Sequence, residues 1–385
     1  MQKTYLRRLS INILQICHDY KQPFLDLANE YINGAKKEHD IYTIFLKGKY
    51  LRDIEKINKG KIYFLELAKE DLSGLKINAI IKLKKLLENI NVDFEFCISH
   101  RSKPTFISIF ATSIKIISVH HHEGDYRKFR KRLIFYLFKK RILFAGVSNF
   151  IRKDLENSFS SWEKHKFTTI YNSNSSLKKN NYLLSKNKSR KYLKLNRNDF
   201  IFANVGRLHK EKNQQLIIKS FSKFISENDF DKNKIKLILI GVGSELDNLK
   251  CLAKQLNCIE NIIFYGYLQN AKSYFSAFDC FILSTKNEPF GMVLLEAIMA
   301  NNIVISSDSG APMEIIGNSN FLFNDSNEAE LTNRMINVYN NFKKFKKMSF
   351  QIKQDVIKNF MNNNFNLFLK TNKIFQNFIS KKHEK

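Results

Sequence analysis

Glu288 and Glu296 stand on either side of the apolar run "PFGMVLL". Glu296 falls inside a stretch, Gly291 to Ala300, that reads as a helix apolar on nearly every face, which is the pattern of a buried helix. A carboxylate there is costly unless something pairs with it. Glu288 lies just after the apolar strand "DCFILS" (279–284). Pro289 and Gly291 let the backbone turn and present amides at the new helix start. At 1.5 Å of rise per residue, the two acids stand on the order of 10 Å apart. A nucleophile and acid of a retaining glycosidase need about 5 Å. The wider spacing suits an elongated ligand gripped at both ends, such as a sugar joined through a diphosphate to a nucleoside.

Two cations fit the same ligand. After the strand "FIFANV" comes "GRLHKEKNQQLIIKSF" (206–221), with Gly206 at the strand end, Arg207 next and Lys212 near the start of a helix. Ile217, Ile218, Phe221, Phe224 and Ile225 mark the inner face of that helix. Backbone N–H groups at a helix start already favour anions, and two cations beside them suit a diphosphate. The plainer alternative is that both are solvated surface charges. "GVGSELDNL" (241–249) adds a tight turn after another strand. A lone Gly-x-Gly is weak evidence for a nucleotide, and Gly241 and Gly243 serve equally well as structural turn residues. "SSDSGAP" (306–312) gives one more strand-end turn, with Pro312 suited to a helix start.

These residues need strand ends to stand on. Apolar runs at 11–17, 41–46, 61–67, 94–99, 114–120 and 143–148 alternate with helical stretches in the first half. Runs at 200–206, 235–241, 261–266, 279–284 and 302–307 do so in the second. Few show alternating polar positions, as expected of parallel strands covered on both faces. Strand–helix alternation implies α/β layers. The polar stretch 172–199 separates the halves and reads as a connection. The expected organisation is an N-terminal Rossmann-like domain (1–175), a linker (176–198), a C-terminal Rossmann-like domain (199–360), and a C-terminal helix (361–385) that crosses back to the first domain. Ligands of such sheets bind beyond the carboxyl ends of the strands.

Composition sets limits. The chain has 385 residues, 44% hydrophobic, enough for two cores. Its five cysteines form no Cys-x-x-Cys pair, and Cys251 and Cys258 lack the partners of a zinc site, so buried reduced thiols are expected. No signal peptide is evident, and the run 106–119 is broken by Ser, Thr and Lys, so no span of a bilayer is expected. The net charge of +28 favours polyanions, either nucleic acid or an anionic membrane. Part of it follows from a Lys-, Asn- and Ile-rich composition. No zinc finger, RNA-binding signature or helix-turn-helix accompanies the charge, so nucleic acid is not an expected partner. "DYRKFRKRLIFYLFKKRI" (125–142) places Tyr126, Phe129, Leu133, Tyr136 and Leu137 on a helical stripe beside basic residues. That suits an anionic bilayer surface, or else an ordinary helix packed on the sheet.

Taken in order, "NVGRLHKEKNQQLIIKSF", "EPFGMVLLEA" and "SSDSGAPMEIIG" resemble the phosphate loop and the E-x7-E donor region of retaining glycosyltransferases of family 4, which have the GT-B fold: two Rossmann-like domains with parallel sheets facing across a cleft. "IYNSNSS" (170–176) looks like that family's inter-domain connection. "SHRSKP" (99–104) and "SVHHHEGDYRKFRKR" (118–132) look like the subset that builds lipopolysaccharide core or related surface glycans. The resemblance is strong over 200–320 and weaker before. It implies a nucleotide diphosphate sugar as donor, a glycan or lipid-linked acceptor, retention of configuration, and no metal or other cofactor. Arg207 and Lys212 would neutralise the diphosphate. Amides near Phe290, Gly291 and Met292 would hold phosphate and sugar, Glu288 the sugar hydroxyls, and Glu296 the ribose. His120, at the end of "IKIISVH", is the expected catalytic residue of the first domain, with His121 and His122 as competitors; metal binding or a plain surface position remain open for the triplet. One departure is that "CHDYKQPF" (17–24) lacks the Gly-rich loop many relatives have after the first strand, which leaves the acceptor contacts of the first domain open. Such a protein would sit in the cytoplasm or on the inner face of the cytoplasmic membrane. A sugar-nucleotide epimerase or hydrolase on the same fold is the alternative activity.

Overall fold

A computed structural model describes residues 10–21, 24–35, 38–58, 61–179, 181–226, 230–361 and 364–380. The chain forms two compact units. The first takes the described residues up to Ser175 and those from 364 onward; the second is Ser176–Met361.

The first unit holds seven parallel strands: β1 (Asn12–Cys17), β2 (Asp40–Phe45), β3 (Ile62–Phe64), β4 (Phe96–His100), β5 (Lys115–His120), β6 (Ile142–Gly146) and β7 (Phe167–Thr169). Their order is β3-β2-β1-β4-β5-β6-β7. Around them lie α1 (Phe24–Ala35), α2 (Arg52–Glu55), α3 (Ile77–Ile90), α4 (Ser102–Ala111), α5 (Phe129–Leu137) and α6 (Asn149–Ser158). Every residue of β4, β5 and β6 is buried, so these central strands carry apolar runs rather than alternation.

The second unit has six parallel strands: β8 (Phe200–Val205), β9 (Ile235–Ile240), β10 (Ile262–Gly266), β11 (Cys280–Leu283), β12 (Ile303–Ser307) and β13 (Leu322–Phe323). Their order is β10-β9-β8-β11-β12-β13. The helices are α7 (Lys186–Tyr192), α8 (Gln214–Ser226), α9 (Leu246–Gln255), α10 (Met292–Met299), α11 (Pro312–Ile316), α12 (Glu328–Asn340) and α13 (Phe342–Phe360). In α8 the five predicted apolar positions are all buried. All eleven strands expected from sequence are present, trimmed by a few residues. The two not foreseen, β7 and β13, are edge strands of three and two residues, too short to leave a pattern.

Two segments differ in kind from their composition. Much of 176–198, expected as a linker, is folded into the second unit. Ser189 and Arg190 of α7 are buried, and Arg190 donates from Nη2 to Asp279 Oδ2 at 2.7 Å and from Nε to Ala277 O at 2.9 Å. A buried arginine with carboxylate and carbonyl partners does the packing that apolar residues usually do. At the other end, α14 (Asn364–Thr371) and α15 (Lys373–Ser380) complete the core of the first unit. Phe365 packs on Tyr31 at 4.7 Å, and Phe375 on Phe96 at 5.4 Å. Lys115 of β5 donates to the carbonyls of Phe378 and Ile379 near the end of α15.

Candidate active site

In the second unit the loops after β8, β9, β11 and β12 are tied backbone to backbone. Gly206 N donates to Ile240 O and Leu208 N to Val242 O, both at 2.9 Å. Gly241, at φ +147°, lies so close to this loop that a Cβ would sit 1.8 Å from Gly206 O. One on Gly243 would sit 2.1 Å from Leu208 O. Both glycines are therefore required by close approach. Their part in the site is to fix the 206–208 loop.

Arg207 leaves this loop with 69% of its side chain exposed and pairs with Glu211 at 3.3 Å. Lys212 ends the 3-10 turn Lys210–Lys212 and is less exposed. Its Nζ reaches Glu288 Oε2 at 3.2 Å and Thr285 Oγ1 at 3.5 Å. Its carbonyl accepts from Ser284 Oγ at 2.7 Å.

Glu288 is buried. Its amide donates to Ser309 O and its carbonyl accepts from Ala311 N. Gly310, at φ +94°, could not carry a Cβ, which would meet Glu288 O at 2.3 Å. Asn287 takes the left-handed conformation at φ +51°, and its amide is held by Ser309 Oγ at 2.9 Å. The acid is thus placed by the β12 loop and charge-paired from the β8 loop.

Gly291, at φ +93°, opens α10. The Phe290 ring is buried against Phe360 at 5.8 Å. Amides of the first turn, from Met292 on, lie at the positive end of the helix dipole. The helix is not buried all round. Met292, Val293 and Glu296 are half-buried, and at i, i+1 and i+4 they form its one open stripe. Glu296 keeps access to solvent there. Its charge acts on Tyr182, whose hydroxyl is pushed well up first by burial and then by Glu296. Gly206, Arg207, Lys212, Glu288, Phe290, Gly291, Met292 and Glu296 all belong to this unit.

In the first unit His120 ends β5, but its ring is turned inward. The side chain is fully buried. Nδ1 meets Asp125 Oδ2 at 2.7 Å, and Nε2 meets Ser118 Oγ at 2.7 Å and Tyr126 OH at 3.3 Å. Burial alone would raise the Asp125 carboxyl, but the hydrogen bond from His120 and nearby cations hold it below its ordinary value.

His121 is different. Its Nε2 meets His100 Nδ1 at 3.1 Å, and His100 Nε2 meets Gln15 Nε2 at 3.0 Å. Gln15 Oε1 accepts from Thr43 at 2.9 Å. The Gln15 amide can only donate, so His100 carries its proton on Nδ1 and passes the bond to His121 Nε2. The His121 proton is then on Nδ1, which is buried with no partner among the described residues. Burial holds both rings neutral, His100 with a pKa lowered to about 3. His18, Phe24, Arg101 and His121 line a small pocket at these strand ends. Sequence reasoning missed Gln15, His100 and Arg101. His122 meets Arg101 Nη2 at 2.6 Å. Among the described residues no group of His, Cys, Asp or Glu could hold a metal ion. The expected stripe divides: Tyr126, ahead of α5, is buried, while Phe129, Leu133, Tyr136 and Leu137 of α5 are exposed.

Two parallel α/β sheets, with a cation–carboxylate pair among the strand-end loops of the second, make up the GT-B architecture. Residues 185–355 match the model of the family "Glycosyl transferases group 1". Over that segment the chain is similar to the family, and its relatives and fold neighbours identify it as a glycosyltransferase. It is 27% identical over 302 residues to the Campylobacter jejuni N-acetylgalactosamine-N,N'-diacetylbacillosaminyl-diphospho-undecaprenol 4-alpha-N-acetylgalactosaminyltransferase, covering 73% of this chain and 76% of that relative. Among solved structures, a glycosyltransferase from Rickettsia africae superposes with TM-score 0.79 at 18% identity, over 97% of this chain and 100% of that one. HepE from Anabaena, in complex with UDP and glucose, gives TM-score 0.75 at 16% identity over 93% and 98%. These findings support glycosyl transfer and lend nothing to an epimerase or hydrolase.

Proposed function

We propose that this chain transfers a sugar from a nucleoside diphosphate sugar to a lipid-linked glycan, with retention, in the synthesis of lipopolysaccharide or another cell-surface glycan. The observation that carries the reading is Lys212 Nζ at 3.2 Å from Glu288 Oε2, with Arg207 on the same β8 loop. Glu288 hydrogen-bonds donor sugar hydroxyls. Lys212 and Arg207 stabilise the charge that grows on the leaving diphosphate, the electrostatic work a metal would otherwise do. First-turn amides of α10 at Gly291 and Met292 add their dipole to the same phosphate. Glu296, on the open stripe of α10, takes the ribose hydroxyls. The lipid-linked acceptor is supported by the relative from Campylobacter, whose name places its acceptor on diphospho-undecaprenol. No described helix is long and apolar enough to cross a membrane. The enzyme works from the inner face of the cytoplasmic membrane as a peripheral protein. His121, which lines the strand-end pocket and whose buried Nδ1 has no partner among the described residues, is the histidine of the first unit assigned to the reacting groups in place of His120.

A thermal-shift screen of nucleotide sugars tests the reading, because a ligand bound only by the native state raises Tm by mass action. The hit is then turned over with a lipid-linked acceptor and the anomeric configuration of the product read by NMR. A product of inverted configuration, or turnover of donor at the same rate without acceptor, would sink it.

A further inference from the structure

A line of buried polar side chains crosses the sheet of the first unit, and the donor site makes no use of it. In the sheet register Gln15 of β1 stands opposite Thr43 of β2 on one side and opposite Ile98 of β4 on the other. His100 lies two residues past Ile98, so its side chain takes the same face. His121 follows β5, the next strand of the sheet. Thr43 and Gln15 are fully buried, and His100 and His121 nearly so. Their neighbours Leu14, Ile16 and Ile44 are buried and apolar. Polar groups in such surroundings are costly unless each finds a partner. Apolar side chains would fill the same space without that cost.

The line has a direction. Thr43 Oγ1 donates to Gln15 Oε1 at 2.9 Å, which leaves the Gln15 amide nitrogen, 3.0 Å from His100 Nε2, as the donor to that ring. With the amide turned over, the buried Thr43 hydroxyl proton would have no acceptor among the described residues. His100 Nε2 therefore accepts, and its Nδ1–H donates to His121 Nε2 at 3.1 Å. That bond uses the one lone pair of the His121 ring. The proton of His121 is left on Nδ1, and His121 lines the strand-end pocket with His18 and Arg101. The rings are also held in place. Tyr31 of α1 meets His100 edge to face at 5.0 Å, and His100 stacks on His121 at 5.3 Å. Burial keeps both rings neutral, so each carries one proton.

We propose that Thr43, Gln15 and His100 are positioning residues that lock His121 as a neutral Nδ1–H donor, so that it holds a substrate oxygen by a hydrogen bond and takes no proton from it. A general base needs a free lone pair, and His121 has none. Thr43 and Gln15 act on the pocket only through the two rings, from the interior of the sheet. A fully satisfied buried network of this kind fixes one arrangement of its members. The role of His121 in transfer rests on the glycosyltransferase reading, while the position of its proton does not.

The test has a spectroscopic arm and a kinetic one. Proton–nitrogen NMR of the full chain, isotope-labelled at histidine and held near neutral pH, reads which nitrogen of each ring is protonated; His100→Asn and His121→Asn assign the two rings. Both should carry the proton on Nδ1. Thr43→Val keeps the shape and removes the hydroxyl, which frees the Gln15 amide to turn. His121 should then show both tautomers, and kcat/KM for transfer should fall about tenfold, the value of one hydrogen bond. Thr43→Ser returns the hydroxyl and should return both the tautomer and the rate. Gln15→Leu breaks the line at its centre and should lose at least as much as Thr43→Val. Circular dichroism checks the fold of each variant, and affinity for UDP and GDP should stay at the wild-type value in calorimetry. Nδ1–H on both rings of a chain that transfers no sugar would count against the glycosyltransferase reading alone. A wild-type His121 protonated on Nε2 or on both nitrogens, equal losses in Thr43→Ser and Thr43→Val, or full kcat/KM in both Thr43→Val and Gln15→Leu would overturn the proposal.

Discussion

Lys212 and Glu288 lie 76 residues apart in sequence, and their side chains meet at 3.2 Å. One comes from the loop after β8 and the other from the loop after β11, so the pair exists only when both loops are formed. Glu288→Gln keeps the shape and removes the charge. We expect kcat/KM for transfer to fall a hundredfold or more, the size of loss seen when a polar group acting in the transition state is removed. Steady-state kinetics beside a thermal melt will check it; wild-type rates in a folded variant would remove Glu288 from the site.

Among the described residues Arg207 pairs with Glu211, itself exposed. Surface pairs of this kind contribute little to stability. Arg207→Ala should therefore leave Tm unchanged while weakening nucleoside diphosphate binding roughly tenfold, the value of one hydrogen bond to a charged group. Calorimetry with UDP and GDP reads both affinities; unchanged binding would make Arg207 a solvated surface charge after all.

The turn "GVG" looked ambiguous in sequence, and the structure gives it a steric duty. A Cβ on Gly241 would lie 1.8 Å from Gly206 O, and φ is +147°. Gly241→Ala must push the 206–208 loop away. It should lower Tm by several degrees, since alanine at positive φ costs more than about 1 kcal/mol. Nucleoside diphosphate affinity should fall as well, because Arg207 moves with the loop. Stability lost without any loss of affinity would separate the turn from the site.

What could be read in advance followed from local chemistry. Ile-, Val- and Phe-rich runs gave eleven strands, and the turns after β8, β11 and β12 showed where charged residues would gather. What could not be read depended on long-range partners. Arg190 looks like one more linker cation until Asp279 is placed beside it. The choice between His120 and His121 was hidden because all of β5 is buried, so no polar alternation tells which face each ring takes. The pairing of His100 with His121 joins the ends of two adjacent strands 21 residues apart, which no sequence periodicity encodes.

His100 provides a pH test of that buried network. Its folded pKa is lowered to about 3 by burial, against an ordinary value of 6.5. Between these values the unfolded chain binds the proton and the native one does not. Stability from this group is fully present above about 6.5 and is lost progressively as pH falls toward 3. His100→Gln should flatten the fall of Tm between pH 6.5 and 5, a range above most carboxylate titrations. An unchanged slope there would show that His100 is not the group being protonated on unfolding.

The last prediction concerns the chain's return to the first unit. Phe375 is fully buried, with Phe96 of β4 at 5.4 Å and Phe368 at 5.0 Å. Truncating such a ring leaves a cavity and costs about 3–5 kcal/mol. Phe375→Ala should therefore destabilise the first unit sharply. The ring packs on Phe96 and Phe368 of the first unit, so calorimetry below the melting range should still show wild-type affinity for nucleoside diphosphate. Transfer activity at the same temperature should fall if the first unit presents the acceptor, because β4 carries His100 and, through it, orients His121. Coincident loss of nucleotide affinity and of the fold in a single transition would instead mean that the two units unfold as one.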